Sequence, residues 1–171
     1  WRIEHSQVVD LDEFDLYNDK ILPSVQPTHA TSDMYWAYDR LGKRIEGAYA
    51  FKDLLSSSKR IALGTDFPVE KVNPFHTFYS SIERKDLNGY PKNGFQIENA
   101  LTREETLKGM TIWGAYFNFE EKEKGSIEKG KYADFVLIDQ NIMEINPDKI
   151  PHTKVLKTYV NGELVYQNNA L

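Results

Sequence analysis

The segment RIALGTDFPVE, residues 60–70, places an apolar stretch directly before a polar turn. Residues 60–65 predict a buried strand, and Asp66 follows at its end. Two earlier segments, residues 1–4 and 21–28, also have strand character, and helical patterns separate the three strand candidates. This alternation is typical of a parallel α/β sheet, so we predict an α/β fold.

The remainder of the chain divides into a helical part and a β part. Helices are predicted at residues 74–84 and 103–119, and residues 30–47 are predicted to form a functional loop with a helical turn. Strands are predicted at residues 132–139, 155–160 and 163–167, where the last two flank Asn161-Gly162, a strong hairpin signal. We therefore predict two domains, residues 1–124 and residues 125–171.

The composition narrows the classes of function. The chain has 171 residues, of which 40% are hydrophobic, and this composition suits a folded core. A net charge of −5 with scattered basic residues argues against nucleic-acid binding, and no apolar run is long enough for a membrane helix. The absence of cysteine excludes disulfides and thiolate-bound zinc. The chain begins at Trp1 rather than Met, so we expect the native N-terminus to lie upstream; the compartment stays open, with the cytoplasm favoured.

Three residues that could carry chemistry follow the three strand candidates: His5, His29 and Asp66. Because the carboxyl ends of parallel strands share one rim of the sheet, we expect these side chains to converge. Imidazole and carboxylate groups are suitable ligands for zinc and similar ions. Two alternatives stay open, since each histidine could be a hydrogen-bonded structural residue and Asp66 could cap a helix. His76 and His152 are interpreted as structural or solvent-facing.

The segment after His29 contains further candidate pocket residues: Asp33, Trp36, Arg40 and Arg44. A guanidinium group can bind a substrate carboxylate or phosphate, and an indole ring can form an apolar wall. The alternative is a loop held by an Asp–Arg pair around a buried tryptophan.

Several segments together resemble the amidohydrolase superfamily, in the branch that includes N-substituted formamide deformylase-like proteins. They are RIEHSQ (2–7), LPSVQPTHATSDMYWAYDRLG (22–42), AYAFKDLL (48–55), ALGTDFPVEKVNP (62–74), LTREETLKGMT (101–111), GSIEKGKYADFVLID (125–139) and VLKTYVNGELVY (155–166). The resemblance implies a (β/α)8 TIM-type barrel with a small β-sandwich. This chain would supply the C-terminal part, with barrel strands six to eight and a portion of the sandwich.

The resemblance also implies roles for individual residues. His5 matches the metal-ligating histidine after the sixth strand, and Asp66 matches the ligand and proton-shuttling aspartate after the eighth. His29 is carried over as a candidate substrate contact, together with Asp33, Trp36 and Arg44. The His-x-His pair of the family does not occur in this sequence.

The implied activity is metal-dependent hydrolysis of a non-peptide carbon–nitrogen bond in a small amide-type substrate, with zinc as the expected metal. We expect the 171-residue chain alone to be inactive and to bind metal weakly or not at all. Its first strand would pair with the missing N-terminal part of the same chain or with a second copy. The alternatives are a non-catalytic binding or scaffold module and a phosphotriesterase-like barrel metallohydrolase.

Overall fold

The computed structural model describes residues 1–169. The first half of the chain forms a three-stranded sheet in which every neighbouring pair is parallel, and this confirms the predicted α/β arrangement. The strands, in spatial order, are β1 (Arg2–Glu4), β2 (Leu22–Val25) and β3 (Ala62–Leu63). The third strand is shorter than predicted because only Ala62 and Leu63 pair with β2.

Helices fill the segments between these strands and after them. The helices of the first part are α1 (Pro27–Asp33), α2 (Ala37–Leu41) and α3 (Phe51–Ser58), with 3-10 helices at Leu11–Leu16 and Gly42–Gly47. The loop predicted at residues 30–47 is therefore mostly helical. The second strand ends before its predicted limit because Pro27 occupies the first turn of α1, where its missing N–H and fixed φ are tolerated.

Three more helices follow β3: α4 (Pro74–Glu83), α5 (Arg103–Met110) and α6 (Ile112–Phe117). Asn73 caps α4, because its side-chain oxygen accepts a hydrogen bond from the backbone N–H of Phe75 at 2.9 Å. The predicted helix at residues 103–119 is divided at Thr111, whose φ of −130° and ψ of −97° are not helical. At the start of α5, Thr102 and Glu105 form a reciprocal capping box.

The main core lies between the parallel sheet and the helices that cover it. All four residues of β2 are buried, and Val25 packs in one cluster with Phe51 and Leu54 of α3. Burial of such side chains stabilises the fold by about 1.5–3 kcal/mol each. The buried central strand therefore supports the residues that follow its carboxyl end, which are Gln26 and α1.

The last part of the chain forms an antiparallel sheet of β4 (Phe135–Ile138), β5 (Val155–Val160) and β6 (Glu163–Gln167). Asn161 and Gly162 have φ values of 51° and 80°, as a two-residue turn with two left-handed positions requires, so the predicted hairpin is confirmed. A 3-10 helix at Pro147–His152 joins this part to α4, where Ile150 packs against aromatic residues.

Neither three-stranded sheet closes on itself among residues 1–169. The outer edge of β1 is exposed, as predicted, with Trp1 90% and Ile3 42% accessible. A cavity of about 830 Å³ separates α6 from the C-terminal sheet, and its lining includes Phe117, Phe135 and Tyr159. Within residues 1–169, every helix is too short or too polar to cross a membrane.

Candidate metal centre

The three residues that follow the parallel strands converge. His5 comes directly after β1, His29 lies in the first turn of α1, and Asp66 lies three residues beyond β3. Each offers one ligand atom, and these three atoms lie within 4.8 Å of one another. The Nε2 atom of His29 is 3.5 Å from Oδ2 of Asp66, and the two imidazole rings stack with centroids 5.9 Å apart. We call these three residues the metal cluster.

Two members of the metal cluster have left-handed backbone conformations. The φ angles are 69° at His5 and 57° at Asp66, and neither residue is glycine. Such conformations cost about 1–2 kcal/mol and are concentrated at functional sites. The turn after β1 is held by the Ser6 hydroxyl, which donates to the carbonyl of Ile3 at 3.1 Å and accepts from Tyr17 at 3.0 Å. These contacts keep the His5 side chain at the strand end.

One pair of donor atoms in the metal cluster has the spacing that a divalent cation requires. Nε2 of His29 is buried and has no hydrogen-bond partner within the described chain, although an unpaired buried polar atom normally costs about 1–3 kcal/mol. Tetrahedral zinc with bonds of about 2.1 Å requires ligand atoms roughly 3.4 Å apart. The separation of 3.5 Å between His29 and Asp66 matches that requirement. A cation, or a polar group of a substrate bound beside it, would satisfy the unpaired nitrogen.

The second nitrogen of His5 is bonded to a residue that the strand-end pattern did not single out. Nδ1 of His5 lies 2.9 Å from Oε1 of Gln26, and Nε2 of Gln26 donates to Oε1 of Glu4 at 2.9 Å. Gln26 follows β2 just as His5 follows β1, so the same rule that selected the histidine applies to this glutamine. Metal-bound histidines commonly have such a partner on their other nitrogen.

Asp33 lies beside the metal cluster in a second polar group. Its Oδ2 atom accepts hydrogen bonds from Gln7 Nε2 and from the Tyr49 hydroxyl, both at 2.8 Å. Burial raises the pKa of the Asp33 carboxyl, while the hydrogen bond from Tyr49 and the charge of His29 act in the opposite direction. Burial also raises the pKa of the Tyr49 hydroxyl. The sequence pattern did not indicate Gln7 or Tyr49, because neither belongs to a recognisable motif.

The other candidate pocket residues lie further out. Trp36 is 45% accessible and Arg44 is exposed, and among residues 1–169 neither side chain makes a hydrogen bond or ion pair with the metal cluster. Arg40 is exposed as well. The alternative of a buried tryptophan held by an Asp–Arg pair is wrong, because Asp33 is bonded to Gln7 and Tyr49 and the indole is accessible.

The two remaining histidines lie outside the metal cluster. His76 is half-buried in α4, and its pKa is lowered by burial and then by the nearby charges of Lys71 and His152. His152 is exposed at the end of the 3-10 helix. Asp66 does not cap a helix, because α4 begins with Asn73 as its N-cap.

The comparison with known protein families covers the residues of the metal cluster. The sequence pattern described as the amidohydrolase family matches residues 2–166. The chain belongs to the amidohydrolase family. This membership agrees with the resemblance noted in the segments RIEHSQ and GTDFPVE, which contain His5 and Asp66.

Three relatives of this amidohydrolase chain illustrate the range of the family. The provisionally named amidohydrolase YtcJ of Bacillus subtilis is 31% identical over 98% of this chain and 32% of its own length. The N-substituted formamide deformylase of Arthrobacter pascens is 28% identical over 70% of this chain and 21% of its own length. The 5-methylthioadenosine/S-adenosylhomocysteine deaminase of Caldanaerobacter subterraneus is 29% identical over 75% of this chain and 31% of its own length.

A solved structure gives the same result for the fold. An uncharacterised metal-dependent hydrolase from Pyrococcus horikoshii superimposes with a TM-score of 0.73 at 26% identity, over 85% of this chain and 30% of that chain. The amidohydrolase chain thus spans about a third or less of the length of each of these four proteins.

Proposed function

We propose that the whole protein is a metal-dependent hydrolase that cleaves a non-peptide carbon–nitrogen bond in a small amide-type substrate. The observation that carries this proposal is the metal cluster, in which His5, His29 and Asp66 come from three successive strand ends. The names of the deformylase and deaminase relatives, both of which describe chemistry at carbon–nitrogen bonds, support the reaction class.

The architecture of the whole enzyme is also part of the proposal. We infer that β1, β2 and β3 correspond to strands six to eight of a (β/α)8 barrel, and that β4–β6 belong to a small β-sandwich. The exposed edge of β1 and the cavity beside Phe117 and Phe135 would then be covered by the N-terminal part of the protein. That part would also supply the further metal ligands that residues 1–169 do not offer to the cluster.

A divalent cation, with zinc the expected one, would lower the pKa of a coordinated water toward neutrality and polarise the substrate carbonyl. We propose that His5 and Asp66 hold the cation. Asp66 also accepts the proton of the attacking water and delivers it to the departing nitrogen, which must leave protonated. Its carboxylate is partly exposed and lies 3.5 Å from the imidazole of His29, so it can reach both water and substrate.

We propose that residues in and around the metal cluster bind the substrate. His29 presents an unpaired nitrogen, and we propose that this nitrogen bonds the substrate when the cation is held by the other ligands. Asp33 is held by Gln7 and Tyr49 through Oδ2, which leaves Oδ1 available for a substrate N–H group. Trp36 and Arg44 remain candidates for contacts at the outer rim of the pocket.

The scaffold alternative receives no support from this geometry. A non-catalytic module would not require His5 and Asp66 to approach each other, yet their ligand atoms lie within 4.8 Å. The isolated chain should behave differently from the whole protein. Its three donors alone do not enclose a cation, because one side of the site stays open to water. We expect the isolated chain to bind zinc weakly and to show no turnover.

The proposal is tested with the intact protein and a panel of N-substituted formamides. Asp66→Asn removes the proton acceptor, so kcat should fall by about 10²–10⁴-fold. Asp19→Asn is the matched control, because Asp19 is an exposed aspartate in a turn. Turnover by Asp66→Asn at the wild-type rate would contradict the proposed mechanism, and so would full activity after exhaustive chelation.

A further inference from the structure

A chain of hydrogen bonds leads from a carboxylate on β1 to the imidazole of His5. Glu4 accepts from Nε2 of Gln26 at 2.9 Å, and Oε1 of Gln26 lies 2.9 Å from Nδ1 of His5. The Ser24 hydroxyl donates to the same Glu4 oxygen at 2.8 Å. Gln26 is 5% accessible and Ser24 is 9% accessible, whereas Glu4 and His5 are exposed, so the centre of this chain is buried and its two ends reach the surface. We call Glu4, Gln26 and His5 the relay.

The hydrogen-bonding capacity of each member determines which group donates and which accepts along the relay. An ionised carboxylate can only accept hydrogen bonds, so Glu4 must face the amide nitrogen of Gln26 rather than the amide oxygen. The amide oxygen then points to His5, and an amide oxygen can only accept. The hydrogen on the His5 ring must therefore be on Nδ1, which leaves the lone pair of Nε2 free.

We infer that Glu4 and Gln26 are positioning residues that hold His5 as the Nδ1–H tautomer, with Nε2 presented to the metal cluster. Without this contact a neutral imidazole can place its hydrogen on either nitrogen, and the Nε2–H form cannot bind a cation through Nε2. The role of the lone pair rests on the proposed function, whereas the tautomer itself does not.

The anchoring of Glu4 supports the inference. Parallel pairing places Glu4 opposite Ser24, and Arg2 lies 3.5 Å from the second carboxylate oxygen of Glu4. Glu4 thus accepts hydrogen bonds from a hydroxyl group and an amide group and lies beside a cation, so each of these partners is a donor or a positive charge. The left-handed φ of 69° at His5 turns the ring back toward Gln26.

Nitrogen-15 NMR of the histidine rings tests the tautomer in this chain without metal or substrate. The spectra are recorded at a pH of about 8.5, roughly two units above the ordinary pKa of a histidine side chain. Wild-type His5 should then show a protonated Nδ1 and an unprotonated Nε2. Glu4→Gln should give a mixture of tautomers, because a glutamine at this position can present either its oxygen or its nitrogen to Gln26. Glu4 is partly exposed, so this variant should fold normally.

Two variants of buried Gln26 separate its acceptor role from its packing role. Gln26→Met should shift His5 toward the Nε2–H form that free histidine side chains favour. Gln26→Glu removes the donor to Glu4 but keeps an acceptor oxygen beside Nδ1 of His5, so it should keep Nδ1–H while the contact with Glu4 is lost. Gln167→Met, at an exposed position in β6, should leave the His5 signals unchanged. A wild-type His5 in the Nε2–H form would overturn the inference, as would a pure Nδ1–H form in Glu4→Gln.

Zinc affinity of the intact protein gives the second measurement. Gln26→Met should weaken zinc binding by about 10–100-fold, the usual effect of losing the partner of a ligating histidine. An Nδ1–H tautomer in a protein that binds no cation would refute the proposed function and leave the relay standing. Tight zinc binding with His5 as Nε2–H would refute the relay and leave the proposed function standing.

Discussion

The two sheets of the molecule differ in burial although each has three strands. Every residue of β2 in the parallel sheet is buried, whereas every residue of β6 in the antiparallel sheet is exposed. Both strands are apolar in sequence, and Val165 in β6 is 58% accessible. Apolar patterning therefore determines that a strand forms, while burial depends on which elements pack against it.

The two sheets also differ in the potential metal ligands that follow their strands. The carboxyl ends of β1–β3 carry the metal cluster and the relay, and the buried central strand supports both. Among the described residues no comparable group of potential metal ligands occurs at β4–β6. Parallel strands deliver their following residues to one edge, whereas antiparallel strands deliver them to opposite edges. The convergence of the candidate metal ligands is thus a consequence of strand direction.

The largest expected effect on stability lies where the two parts of the chain meet. Ile150 is fully buried and packs with Ile142 against Phe75, Phe78 and Tyr79. Ile150→Ala should lower the free energy of unfolding by about 2–5 kcal/mol, because the truncation leaves a cavity. Urea denaturation of the purified variant measures this change.

Val165→Ala is the matched test in the exposed sheet. In this chain it should change the free energy of unfolding by about 0.5 kcal/mol or less, because most of the Val165 side chain is accessible. In the intact protein the cost should rise above about 1 kcal/mol if further chain covers this sheet. Equal costs for Ile150→Ala and Val165→Ala in this chain would contradict the difference in burial.

Two glycines of the helices that pack on β3 should differ from each other, with an effect at Gly109 that is smaller than that of Ile150→Ala. A Cβ atom at Gly109 would lie 2.7 Å from Cγ of Leu63 and 3.0 Å from the carbonyl oxygen of Ile61. Gly109→Ala should therefore cost about 1–3 kcal/mol through overpacking. At Gly114 the nearest atom would be 3.7 Å away, so Gly114→Ala should be neutral or stabilise α6 by up to about 1 kcal/mol.

Thermal denaturation of both glycine variants compares helix propensity with packing against the buried sheet. If Gly109→Ala were as stable as Gly114→Ala, α5 would not be in close contact with β3. Such a result would weaken the case that the parallel sheet is the rigid part of the molecule.

Strand ends and the hairpin could be predicted from the sequence because their signals are local. Apolar runs followed by His5 and Asp66 indicated the rim of the sheet, and Asn161-Gly162 indicated the turn. Gly109 lies two residues before the break at Thr111, but a single glycine is tolerated inside a helix, so the sequence pattern did not predict the division. The contact between Gln26 and His5 also depends on strand register, which the pattern of single strands does not contain.

Other features were hidden because they depend on tertiary contacts. Tyr49 reaches Asp33 from a distant segment, and it takes the place that an arginine was expected to fill. The sequence contains both Asp33 and Tyr49, but no local pattern indicates that their side chains form a hydrogen bond in the folded chain.

The central claim is that His5 and Asp66 bind one cation together. Isothermal titration of the metal-free intact protein with zinc tests it most directly, with His5→Gln, Asp66→Asn and the exposed control His152→Gln compared with the wild type. We expect each cluster variant to bind at least about 10–100-fold more weakly, since loss of a ligand should cost no less than loss of its hydrogen-bond partner. The control should bind as the wild type does. Wild-type affinity in both His5→Gln and Asp66→Asn would contradict the account.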